Sequence, residues 1–99
     1  MSELHFTNKA VGDLDDIWNY TVDEWSETQA DLYYNMLIES CRKIACSRGT
    51  IGKIYDDILP GLCGYKSGRH IIFYRNTSGN DILIVRILHE RMDIRSRLR

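Results

Sequence analysis

The sequence predicts an α+β domain of order β-α-α-β-β-β. An N-terminal strand and an α-helical hairpin pack on one face of a small, mostly antiparallel sheet. Three observations carry this prediction. Apolar residues recur at helical spacing through two successive stretches between about residues 8 and 45. The tetrapeptide "SETQ" at 26–29 separates the two stretches with a helix-start signal. After Gly49 the pattern turns into short apolar runs divided by glycine-containing turns.

Each element has its own justification. "ELHF" alternates charged and apolar residues and then meets Thr7 and Asn8, which reads as a short strand running into a helix start. Val11, Leu14, Ile17, Trp18, Thr21/Val22 and Trp25 follow helical spacing, with Asp13, Asp15, Asp16, Asp23 and Glu24 between them as an acidic outer face. Ser26 can accept a hydrogen bond from the amide three residues on, so a second helix is expected from residue 27. Its stripe is Ala30, Tyr33, Tyr34, Leu37, Ile38, Cys41, Ile44 and Ala45, and Gly49 is a natural stop. With so little chain between them, the helices must run antiparallel.

The second half reads as strands. "KIYDDI" is a short extended segment, "LPGL" a turn, and "CGYKSG" a short strand closed by Gly68. "RHIIFYRN" and "DILIVRILH" are strands joined by the turn "TSGN". Simple alternation puts Ile82, Ile84, Arg86 and Leu88 on one face of the last strand and Leu83, Val85, Ile87 and His89 on the other. Both faces are largely apolar. With the helices covering one, the other is expected to stay open and to attract a partner. "ERMDIRSRLR" ends the chain as a basic tail from about residue 90, or a frayed helical turn. The 99 residues thus form one domain.

Composition narrows the function classes. Apolar residues make up 43% and charged residues 27%, proportions of an ordinary globular protein rather than a disordered one. No apolar run approaches the roughly 20 residues of a membrane span. "MSELHFTNKA" lacks a basic stretch followed by an apolar one, so no secretory signal and a cytoplasmic location are expected. Cys41, Cys46 and Cys63 lack metal-ligand spacing and are read as reduced thiols, Cys41 in the core. Asp13, Asp15 and Asp16 diverge around their helix. No metal site and no cofactor are expected.

Charge is divided unevenly along the chain. Residues 1–40 carry nine acids and one base, whereas residues 41–99 carry twelve bases and five acids. The halves either attract each other within the monomer or present surfaces to charged partners.

"DLDDIWNYTVDEW", "DDILPGL", "SGRHIIFYR" and "ILIVRILHERMD" resemble, collinearly from Leu14 to Asp93, the ParE branch of the RelE/ParE toxin superfamily. The resemblance implies a RelE-like fold and the toxic member of a type II toxin–antitoxin pair. It also implies a cognate antitoxin that neutralises the toxin in a hetero-oligomer, and DNA gyrase as the target. Under this reading the protein is a non-enzymatic inhibitor that has no sequence-specific nucleic-acid binding of its own. The alternatives are a ribosome-dependent messenger ribonuclease similar to RelE and a degenerate toxin that only binds its antitoxin.

Residues can be assigned to each reading. Arg91, Arg95, Arg97 and Arg99 form a cationic tail that suits docking to the target. Trp18 and Trp25 are read as core residues, with Trp18 a candidate to line the antitoxin groove. Arg69, Arg75 and Arg86 lie in or beside strands and are expected to pair with acids of the helices or of the antitoxin. The ribonuclease alternative would use His70 and Arg91. RelE-like enzymes resemble one another in an arginine after the "SG" turn, another past the last strand, and a tyrosine in the tail. Here His70 replaces the first, Arg91 matches the second, and Arg97 stands near the tyrosine position.

Overall fold

A computed structural model describes residues 3–98. The elements are β1 (Leu4–Phe6), α1 (Asn8–Glu24), α2 (Glu27–Cys46), β2 (Lys53–Ile54), β3 (Leu62–Ser67), β4 (His70–Asn76), β5 (Ile82–His89) and α3 (Ile94–Leu98). The five strands form one sheet in the order β1-β5-β4-β3-β2. β1 runs parallel to β5, and every other pairing is antiparallel. The predicted α+β architecture is therefore present.

The helix starts follow from side chains that complete unpaired amides. Thr7 Oγ1 accepts the Ala10 N–H at 3.0 Å and donates to the Val85 carbonyl at 2.7 Å, fixing the start of α1 against β5. Ser26 Oγ accepts the Gln29 N–H at 3.1 Å, so α2 begins where "SETQ" predicts. α2 ends where the Gly49 N–H reaches the Ile44 carbonyl at 2.8 Å with Gly49 in the left-handed region. The Tyr74 hydroxyl then donates to the Gly49 carbonyl at 2.7 Å and ties this end to the sheet.

The main core lies between the helical hairpin and the sheet, around Ala10, Leu14, Leu37, Cys41, Ile44, Ile72, Tyr74, Ile82, Ile84 and Ile87. The second helix presents the predicted stripe. The first helix presents its stripe in part: Leu14 is buried and Ile17 packs on the core, but Ala10 is buried where Val11 was expected, and Val11 is exposed. Trp25 is a correction too, being 76% exposed. It is the residue that ends α1, with non-helical φ/ψ of −130° and −84°, so it leaves the stripe where the chain reverses.

The opposite sheet face is also not as expected. A second core of Leu62, Phe73, Leu88 and Leu98 lies there, packed by Tyr55, Ile58, Leu59, Ile71 and Ile94. The 55–61 loop and α3 thus cover the face that alternation left open. The end of the chain is not a solvated tail, because Leu98 is only 9% exposed.

A β-bulge explains the changed facing of β5. Phe73 pairs with Arg86, but Tyr74 pairs with Ile84, so Val85 is the extra residue. The bulge shifts the alternation by one. Ile82, Ile84 and Ile87 all enter the main core, while Leu88 enters the second.

Candidate functional site

The β3–β4 hairpin places the central polar groups. Ser67 pairs with His70 across a two-residue turn whose first member, Gly68, has φ +60°. That is the glycine-first hairpin turn that matches strand twist. A Cβ on Gly68 would stand 2.8 Å from both the Tyr33 hydroxyl and the Met36 methyl, so only glycine lets the turn lean this closely on α2. The lean brings the Arg69 N–H to the Tyr33 hydroxyl at 3.0 Å. The same hydroxyl lies 2.6 Å from His70 Nδ1.

His70 pairs directly with His89 on β5, their rings edge to face with centroids 5.2 Å apart. His89 Nδ1 accepts the Arg91 N–H at 3.1 Å, so the proton of the neutral ring is on Nε2. Burial, then the neighbouring His89, push the His70 pKa down to about 4, against smaller opposing effects of Asp13 and Glu90. His70 is therefore neutral at pH 7. Since the Tyr33 oxygen already accepts the Arg69 N–H, the Tyr33 O–H is best placed to donate to His70 Nδ1. Burial raises the Tyr33 pKa, which keeps that proton in place.

These groups floor a groove of about 670 Å³. Ile17, Tyr20 and Thr21 of α1, Trp25 at the corner, and Met92 after β5 form its walls. Tyr20, Trp25 and Met92 are all exposed large apolar residues. Apolar walls with a few placed hydrogen-bonding groups are the usual composition of a binding surface. The Nδ1 atoms of both imidazoles and the phenol are engaged with one another or with backbone.

The residues singled out in the sequence do not gather at one place. Arg69 and His70 line the groove, and Arg91 is exposed just beyond His89. Arg69 lies 4.0 Å from Glu90, which Lys66 holds at 2.9 Å; that bond keeps the Glu90 carboxyl below its usual range. Trp18 lies on α1 and donates its indole N–H to Asp31 of α2 at 3.1 Å, bridging the hairpin rather than lining the groove. Arg75 is exposed on β4. Arg95 contacts Asp57 at 2.6 Å, and the Arg97 carbonyl accepts from Arg86 at 3.2 Å. Arg99 lies outside the described residues.

Arg86 is internal. Its guanidinium donates to both Asp13 oxygens at 2.8 and 2.9 Å. Asp13 therefore leaves the solvated acidic face to which its spacing assigned it. Apart from the local Glu39–Arg42 pair within α2, this is the one Lys/Arg–carboxylate pair joining the acidic and basic halves among the described residues. Most of the asymmetry remains on the surface. Tyr20, Tyr33, His89 and Met92 were not assigned to a groove from the sequence, because they come from four segments that only the tertiary fold assembles.

Comparison with known proteins supplies the family. Residues 4–94 match the family model described as the ParE toxin of type II toxin–antitoxin systems, parDE. The chain belongs to the ParE toxin family. Among its ParE relatives, Toxin ParE1 of Mycobacterium tuberculosis is 38% identical over 85 residues, which is 86% of each chain. Toxin ParE1 of Caulobacter vibrioides is 34% identical and covers 99% of both chains. The ParE fold recurs in a solved structure of a chromosomal ParDE system from P. aeruginosa. That likeness has a TM-score of 0.75 at 24% identity and spans 90% of this chain and 96% of the other.

Proposed function

We propose that this ParE-family protein is a toxin that inhibits DNA gyrase by direct binding, without catalysis, and that its cognate antitoxin neutralises it in a hetero-oligomer. Family membership supports the toxin class. One structural observation supports the need for a partner: the Tyr20–Trp25–Met92 groove stays open, although both sheet faces carry apolar cores of their own. An antitoxin segment with apolar side chains would bury these aromatic walls, and Arg69 at the rim would favour an acidic flank on it. Gyrase is met in the cytoplasm, the proposed location; among the described residues no helix is long and apolar enough to cross a membrane.

A ribonuclease role finds less support in the geometry. His70 is neutral, with Nδ1 beside the Tyr33 hydroxyl, so it does not offer an acidic imidazolium to a leaving oxygen at pH 7.

The test is a gyrase supercoiling assay with purified protein freed of antitoxin, read for lost supercoiling and for accumulated cleaved DNA. Inhibition that antitoxin reverses is the expected result. No effect at large molar excess of folded protein would remove gyrase as the target. Cleaved transcripts in cells expressing the protein would favour the ribonuclease alternative instead.

A further inference from the structure

We propose that Glu3, His5 and Asp81 form a binding site for a divalent transition-metal ion of the zinc type, which would fasten β1 to β5. The three side chains meet at the end of β5 remote from the groove. Sequence reading misses them because Asp81 stands 78 residues from Glu3.

The parallel pairing brings them together. With Leu4 opposite Ile82 and His5 opposite Leu83, Glu3 and His5 project from one face of β1 beside Asp81. The donor atoms lie within 4.8 Å of one another. His5 Nε2 is 3.2 Å from a Glu3 oxygen and 4.0 Å from Asp81 Oδ2. Ligands bound at 2.0–2.2 Å around a zinc-type ion stand about 3–3.5 Å apart. Small rotations of the two exposed side chains, Glu3 and His5, complete the fit.

Two further features favour a cation. The anchoring is already built: Asp81 Oδ1 accepts the Glu3 N–H at 3.0 Å, the Glu3 carbonyl accepts the Ile82 N–H at 2.9 Å, and Oδ2 remains directed at His5. The charge is also unbalanced. Among the described residues neither carboxylate pairs with a lysine or arginine, and Arg75 on the neighbouring β4 pairs with neither. One imidazole and two carboxylates, with water completing the shell, suit a zinc-type ion better than calcium or magnesium, which favour all-oxygen shells.

The test is isothermal titration of zinc chloride into the reduced full chain, its His5→Ala variant and its Asp81→Asn variant, with thermal melts alongside. The Asp81→Asn change keeps a side-chain oxygen to hold the Glu3 N–H, and His5 is exposed, so both variants should fold. The expected result is one ion per chain, at least tenfold weaker binding in each variant, and a zinc-dependent rise in Tm only in the unmodified chain. Cobalt should bind without a near-ultraviolet thiolate band. Absence of binding at millimolar zinc, unchanged affinity in either variant, or a thiolate band from Cys46 or Cys63 would each overturn the proposal.

Discussion

Asp13 holds Arg86 through two hydrogen bonds, at 2.8 and 2.9 Å, and with one of the same oxygens accepts the Ile87 N–H at 2.9 Å. β1 ends at Phe6, so beyond Ile84 the edge of β5 has no neighbouring strand. Thr7 takes the Val85 carbonyl and Asp13 takes the Ile87 N–H, so side chains satisfy backbone groups that no strand reaches on that edge. Asp13→Ala would strand a guanidinium that is 16% exposed and free that N–H. A loss of about 2–4 kcal/mol is expected in urea unfolding, with Asp13→Asn costing less.

Cutting the chain after Asp93 is expected to destabilise the whole domain, because Leu98 and Ile94 belong to the second core. Leu98→Ala alone should cost about 2 kcal/mol. Arg95→Ala removes only a surface pair with Asp57 and should change stability by about 0.5 kcal/mol or less. Chemical denaturation of the three variants checks the order. Arginine substitutions, not truncations, are therefore the clean probe of target docking.

Trp25→Ala separates binding from folding. The residue is 76% exposed, so its removal should leave Tm nearly unchanged. If the groove seats the antitoxin, affinity measured by calorimetry should drop at least tenfold, the size of about 1.4 kcal/mol or more for a central aromatic anchor. Unchanged affinity would place the antitoxin elsewhere.

His70 makes stability depend on pH in a defined direction. Its folded pKa, about 4, lies below the ordinary 6.5, so between these values the unfolded chain binds more protons. Its contribution is complete above about pH 6.5 and fades as pH falls toward 4. Solvent screening of a half-buried ring reduces the effect to about 1–2 kcal/mol. His70→Gln should flatten that part of the slope in a series of melts from pH 7.5 to 4.5. An unchanged difference between the two proteins across that range would show that His70 does not carry it.

Local signals fixed much of the architecture. Ser26, the stripe from Ala30 to Ala45 and the turn at "TSGN" act within a few residues of chain, and each stands where periodicity and turn chemistry place it. The departures all depend on distant partners. The bulge at Val85 is set by pairing with β4, and it turned strict alternation into a wrong facing for Arg86 and Ile87. Asp13 has the spacing of a solvated residue and is drawn inward by a guanidinium 73 residues away. Leu98 reads as one apolar residue in a basic tail until Phe73 and Leu88 are seen beneath it. Of the groove, the sequence marked Arg69 and His70 but not the aromatic walls, since no periodicity links Tyr20, Trp25, Tyr33 and Met92.

The parallel pairing of β1 with β5 also orders events during synthesis. β1 waits for a partner made 78 residues later. The helical hairpin is built from local contacts and can form early, but its apolar underside has no sheet to cover until β4 and β5 emerge. A nascent chain therefore has no assembled groove until the segment through Met92 has been made. Any activity that depends on the Tyr33–His70–His89 floor arises only when β5 has left the ribosome and paired with β4.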